Sequence, residues 1–146
     1  MAFPSSTLLA TALRKRLKMS AAEPANSTLS SLSAAELGAV AIRQVLSRAA
    51  LPFDQIGDVV MGCVLQAGAG MNVARQAARG AGLPDAIPAE TVNRVCGSGL
   101  QAVIHGVESL QSGWNRVVIA GGCESMSRAP YVLRGARWGY RMGDGE

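Results

Sequence analysis

Glu90-Thr-Val-Asn-Arg-Val95-Cys96-Gly-Ser-Gly-Leu100-Gln-Ala-Val-Ile104 decides the fold of this 146-residue chain. Its first part, Glu90–Val95, is short and rich in β-branched residues, the composition of a strand. Two glycines then break the extended pattern. From Ser98 the apolar residues Leu100, Val103, Ile104, Val107 and Leu110 recur near helical spacing, and Gly113 follows Ser112 as a stop. A strand therefore hands over directly to a helix at Cys96.

Working outward, the same alternation repeats. Asp58–Leu65 is a short apolar segment broken by Gly68-Ala-Gly70, and it predicts a strand. Asn72 is placed to cap a helix through about Ala81, with Gly82 as its left-handed end and Pro84 beyond. Upstream, Ser33-Ala-Ala-Glu36 is a capping box. It opens a helix from Ala34 to about Ala50, with Leu37, Val40, Ala41 and Val45 as its apolar residues and Pro52 preventing extension. Downstream, Arg116–Ala120 is the last strand before Gly121-Gly122. Short apolar strands alternating with amphipathic helices give an α/β fold, a parallel sheet flanked by helices. Residues 33–129 form this domain. Residues 1–32 read as a poorly ordered leader with a short helix around Leu8–Lys18, and 130–146 return to loop character.

Composition narrows the function. About half the residues are apolar and 16% are charged, as in a globular protein. Of the net charge of +4, the cations Arg14, Lys15, Arg16 and Lys18 against Glu23 put +3 in the first 33 residues. The rest is nearly neutral, so no nucleic-acid partner is expected. No apolar run approaches the roughly 20 residues that span a bilayer, and no membrane partner is expected. Leu8–Leu13 precedes the basic cluster, the wrong order for a secretory signal. Cys63, Cys96 and Cys123 lie far apart without a C-x-x-C, so no metal is expected, and reduced thiols in a cytoplasmic compartment are.

Cys96 carries the chemistry. A cysteine at the carboxyl end of a strand faces the free N–H groups and positive end of the next helix, which favour the nucleophilic thiolate. Gly97 and Gly99 clear side chains from the turn, letting a substrate approach. The Cys96 backbone N–H is a possible oxyanion donor. The competing reading is a buried cysteine serving as a small hydrophobe, and position alone leaves both open. A rival motif overlaps: Gly97-Ser-Gly99-Leu-Gln-Ala102 matches G-x-G-x-x-A, with Glu124 near where a ribose-binding acid belongs. It would make the chain a dinucleotide-binding oxidoreductase module. Such a fingerprint normally opens its domain, and here a strand and two helices come first.

Thr91–Val103 resembles the nucleophile segment of thiolases. Gly121-Gly-Cys-Glu-Ser-Met-Ser-Arg-Ala-Pro-Tyr131 is similar to a second thiolase motif, although thiolases more often carry Met at the position of Cys123. Leu29–Gly38, Met61–Gly70 and Asn72–Pro84 are similar as well, so the likeness covers about 29–146. The resemblance implies an amino-terminal thiolase half and a cysteine acyl-enzyme at Cys96, formed from acyl-CoA. That acyl-enzyme either condenses with acetyl-CoA or passes its acyl group to CoA. The resemblance further implies no resident cofactor, CoA thioesters as substrates, and a homodimer or tetramer in which the strand before Cys96 lies at the interface. The general bases of the family, a histidine and a second cysteine, come from its carboxyl-terminal half. His105 does not substitute, because nine residues of helix place it about 13 Å from Cys96. Cys63 and Cys123 are read as packing, and Glu124 as making local structural hydrogen bonds. Met126 is read as core or pocket lining, and Arg128, Arg134, Arg137 and Arg141 as a solvated loop. No segment like the family's opening Arg-Thr-Pro-x-Gly occurs before Leu29, so the first family strand reads as missing and the half as incomplete. The basic, Ser-rich start fits an organelle transit peptide, with the mitochondrial matrix as its compartment, or an altered reading frame. The missing strand favours the second. A third functional reading is a non-catalytic remnant that pairs with a full thiolase subunit through Glu90–Val95.

Overall fold

The computed structural model describes residues 7–12 and 29–140. Helix α1 spans Ala34–Ala49, and its capping box forms as expected: the Ser33 N–H donates to Glu36 Oε2 at 2.7 Å and the Glu36 N–H donates to Ser33 Oγ at 3.2 Å. Strand β2 (Asp58–Gly62) follows, then α2 (Val73–Gly80), β3 (Ala89–Val92), α3 (Ser98–Gln111) and β4 (Val117–Gly122). Asn72 caps α2 by accepting from the Arg75 N–H at 3.0 Å. Gly82 and Gly113 follow the helix ends at φ +92° and +75°, a backbone region in which side chains are strained.

Ahead of α1, Thr7–Ala12 forms strand β1, which pairs parallel with β4 from Thr7 opposite Val117 to Ala12 opposite Gly122. This corrects the short helix expected around Leu8–Lys18, whose remainder lies outside the described residues. The pairing has a simple cause. With β4 beside β2, the second edge of β4 would present unpaired N–H and C=O groups, and an extended segment satisfies them. The edge that a missing first strand would leave bare is taken by β1.

The sheet is parallel throughout, in the order β1-β4-β2-β3. Its side chains alternate across it with period two. Val59, Met61, Val117 and Ile119 join the large core under α1 and α2, together with Ile42, Leu46, Val73 and Ala77. Val60 and Val118 face the other way and pack with Ala102 of α3 in a much smaller core.

Two helix faces differ from the sequence pattern, for one reason. In α1 Ala41 is buried as expected, but the rest of the buried face is Ala34, Gly38, Ala39, Ile42 and Leu46, while Leu37 and Val45 are half-buried and Val40 is 53% exposed. In α3 the buried face is Ser98, Ala102 and Gly106, while Leu100 is 67% exposed and Ile104 also faces outward. Small residues set how closely a helix approaches its support. A Cβ on Gly38 would lie 2.9 Å from Ala77 Cβ and 3.1 Å from Cys123 Sγ. Leu100 and Ile104 are left facing outward, whereas Val103 and Val107 are half-buried and Leu110 packs against the smaller core.

Strands β2 and β3 stop about three residues before their expected ends at Leu65 and Val95. After Gly62 the Val64 and Leu65 N–H groups turn to the Glu124 carboxylate. After Val92 the side chain of Asn93 takes the Val95 N–H, starting a turn. Among the described residues no helix is long and apolar enough to cross a membrane. From Pro130 to Tyr140 the chain runs as an exposed loop with one short 3-10 turn at Ala136–Trp138.

Candidate functional site

The carboxyl ends of β2, β3 and β4 meet the amino terminus of α3, and two glycines, Gly62 and Gly122, let them close together. A Cβ on Gly62 would lie 2.4–2.6 Å from backbone atoms of Ser98 and Gly99. One on Gly122 would lie 3.1 Å from Gly62 O and 3.3 Å from Gly99 Cα. The first turn of α3 therefore rests directly on the sheet. Gly99 lines the same cleft as Cys96, and a Cβ on it would come no closer than 4.0 Å to the sheet, so docking does not require a glycine there and its missing side chain keeps the cleft open, as expected. Gly97, the N-cap, has only Arg94 O near its missing Cβ, at 3.4 Å, and keeps the turn open.

Cys96 is exposed at this junction, on the wall of a cleft of about 400 Å³. Gly62, Val64, Leu100, Gly122 and Glu124 share the lining. Cys63 and Cys123 are 1% and 6% exposed. Burial, aided by the nearby Glu124 charge, pushes both thiols up to about 12, so neither forms a thiolate near neutral pH. Cys63 and Cys123 are packed as expected, and the reading of Cys96 as a buried small hydrophobe does not hold, because it is exposed.

The turn before Cys96 is strained. Val95 lies at φ +50°, a left-handed conformation that is an outlier for a β-branched residue. Its N–H donates to Asn93 Oδ1 at 3.0 Å, and Ser98 Oγ–H donates to its carbonyl at 2.6 Å. Ser98 Oγ also accepts from the Arg94 N–H at 2.8 Å. Sequence reading passed over Asn93 and Ser98. Short polar side chains two residues before and three after a turn residue are the available signal.

Glu124 is occupied. Its carboxylate accepts from the Val64 and Leu65 N–H groups, each at 2.9 Å, and from the Cys63 thiol at 3.4 Å. This is the local structural role expected, and it leaves Glu124 poorly suited to hold a ribose, which weighs against the dinucleotide reading. His105 Nδ1 pairs with Glu90 Oε1 at 2.8 Å, facing β3. Met126 is 41% exposed rather than core, and Arg128 donates to Ser31 O at 2.7 Å. Arg134 and Arg137 lie on the exposed loop, and Arg141 lies outside the described residues. Among the described residues no three His, Cys, Asp or Glu side chains gather to hold a metal ion. A larger groove, about 630 Å³, runs over the outer side of α1 past Glu36, Arg43 and Arg128. It holds no nucleophile, and its arginines already donate to the carbonyls of Gly80 and Ser31.

Comparison with known proteins agrees with this geometry. The family model described as "Thiolase, N-terminal domain" matches residues 16–146, a stretch that begins after β1. An acetyl-CoA acetyltransferase of Cupriavidus necator is 52% identical over 117 residues, 80% of this chain and 30% of that protein. One from Escherichia coli is 47% identical over 122 residues, 83% of this chain and 31% of that protein. Acetyl-CoA acetyltransferase B, mitochondrial, of Xenopus laevis is 49% identical over 110 residues, 75% and 26% of the two chains. The chain thus spans about 30% of the length of the curated relatives it matches. With Cys96 at the strand-to-helix turn of a parallel sheet and nearly the whole chain matched, this protein belongs to the thiolase family and corresponds to its N-terminal domain.

Proposed function

We propose that the chain carries the acyl-accepting step of a thiolase reaction, with Cys96 as nucleophile. The Cys96 sulfur attacks the thioester carbonyl of an acyl-CoA, the bond from that carbon to the CoA sulfur breaks, and CoA leaves as the thiol after taking up a proton. The observation that carries this reading is the contrast among the thiols: Cys96 is exposed in a cleft at a helix amino terminus, and Cys63 and Cys123 are buried. Backbone N–H groups at the turn, that of Cys96 included, are the donors proposed for the developing oxyanion. CoA thioesters are the substrates, and the step requires no resident cofactor. Condensation with acetyl-CoA, or thiolysis in reverse, requires general bases. The single histidine of the sequence, His105, is engaged by Glu90, and the two remaining thiols are buried. Turnover therefore depends on groups supplied by the rest of a thiolase.

A second reading is a non-catalytic subunit that pairs with a complete thiolase. It is favoured by β3, which stands at the open edge of the sheet with Glu90 exposed. Incubation with acetyl-CoA, followed by intact-mass measurement, separates the two. An acetyl adduct that vanishes in Cys96→Ala is expected. A folded chain that forms none sinks independent acyl transfer and leaves the pairing subunit.

A further inference from the structure

Val95 is an unfavourable residue in an unfavourable conformation. Of the three described non-glycine residues at positive φ, Ala50 ends a helix and Asn72 belongs to a type that tolerates the region, while Val95 is β-branched. Packing does not offset the strain, because Val95 is 67% exposed. The hydrogen bonds around it do. Asn93 Oδ1 holds the Val95 N–H, and Asn93 Nδ2 donates to Val64 O at 3.3 Å, tying the turn to the loop that Glu124 anchors. Ser98, the one buried polar residue among those described, accepts from the Arg94 N–H and donates to Val95 O. Asn93, Arg94 and Val95 before Cys96 and Ser98 after it are thus tied together, with the constraint applied to its neighbour rather than to the cysteine.

We infer that Asn93 and Ser98 are positioning residues, a brace that holds Val95 in its left-handed turn and thereby sets Cys96 at the amino terminus of α3. The inference rests on Cys96 being the acyl acceptor, but the brace is measurable without acyl transfer. A valine at φ +50° needs the brace, and a glycine adopts that conformation without strain. Ser98→Ala should therefore matter in the parent chain and hardly at all in Val95→Gly. A role for Ser98 in packing alone would show equally in both backgrounds.

The experiment is a kinetic cycle on the full chain: parent, Ser98→Ala, Val95→Gly and the double variant. The rate of Cys96 alkylation by iodoacetamide is read by peptide mass. Acetylation by acetyl-CoA is followed in parallel. Ser98→Ala is expected to slow alkylation about fivefold in the parent, the upper end of the weight of a helix amino terminus on an adjacent anion. Less than about a twofold change is expected in Val95→Gly, where the turn is unstrained. Equal slowing in both backgrounds, or none in either, overturns the brace. Where Ser98→Ala does not fold by circular dichroism, Asn93→Ala, at an exposed position, runs the same cycle with the same criteria. Absence of acetylation in the parent chain counts against the acyl-transfer reading alone, since alkylation still reports the brace.

Discussion

Adding one methyl group at Gly62 should lift α3 off the sheet. A Cβ there would lie 2.4 Å from the Ser98 carbonyl carbon, 2.5 Å from Gly99 N and 2.6 Å from Ser98 O. All three are backbone atoms, so no side chain can swing away. Restoring ordinary contact, which begins near 3.4 Å, requires the first turn of α3 to move by about 1 Å. Overpacking of this kind costs about 1–3 kcal/mol, and Gly62→Ala belongs at about 3 because the obstacle is rigid on both sides. Cys96 is joined to that turn through the Gly97 N-cap, and a displacement of about 1 Å is enough to cost roughly a hundredfold in a positioned reaction. Urea unfolding followed by circular dichroism gives the first quantity, and acetylation of Cys96 by acetyl-CoA gives the second. Gly80→Ala is the control. Its new Cβ meets only Ala39 Cβ, at 3.0 Å, a contact that relaxes by a few tenths of an ångström. A Gly62→Ala chain as stable as the parent, with unchanged Cys96 reactivity, would refute the claim that this glycine sets the height of α3.

Two further outcomes follow from buried groups. Burial first, and the Glu124 charge second, hold the folded-state values of Cys63 and Cys123 at about 12, above the ordinary thiol range. The unfolded chain releases these protons first as pH rises. Stability is therefore unaffected below about pH 9 and falls from there towards pH 12, by at most about 4 kcal/mol per thiol. Urea melts from pH 8 to 11 should show a steeper decline for the parent than for Cys123→Ala, and parallel slopes would contradict the assignment. Glu124→Gln replaces one acceptor oxygen with an NH2 group, so either the Val64 or the Leu65 N–H loses its partner. A loss of about 1–3 kcal/mol is expected, with faster amide hydrogen exchange confined to Val64 and Leu65. Unchanged exchange there would show that the carboxylate does not hold the loop.

Local signals made much of this architecture legible in the sequence. Ser33 and Glu36 announce the start of α1, Asn72 the start of α2, and Gly82 and Gly113 mark helix ends, because each acts through its own backbone neighbours. The order of strands and helices followed from the same signals, and Cys96 stood out because a strand and a helix meet at it. Long-range pairing was not legible. Thr7–Ala12 becomes a strand only because β4 offers it an open edge, and nothing within those six residues states that. The helix faces were misread on similar grounds. A periodic pattern ranks residues by hydrophobicity, but the sheet beneath α3 selects them by size. Gly62 and Gly122 admit a helix whose contact face is Ser98, Ala102 and Gly106, and the larger Leu100 and Ile104 are turned aside.

That selection by size bears on the chemistry. A nucleophile is useful only if its surroundings are fixed more tightly than ordinary loops are. Around Cys96 the fixing is done by backbone-to-backbone contact at Gly62, Gly99 and Gly122 and by hydrogen bonds from Asn93 and Ser98, with little apolar burial. Among the described residues the buried cluster on the α3 side is Val60, Ala102 and Val118, with Val92 and Leu110 packed against it, whereas the cluster under α1 and α2 contains most of the core. Stability and positioning therefore reside on opposite faces of the same sheet. Substitutions in the large core should lower stability while leaving Cys96 reactivity unchanged in the folded fraction. Substitutions at the glycines and at Ser98 should alter that reactivity even when the fold survives. Val95 is where local preference and the site conflict most sharply: an exposed β-branched residue is held left-handed beside the thiol. Conflicts of this kind concentrate at functional sites, and this one lies next to the cysteine that the cleft, the burial contrast and the helix terminus already single out.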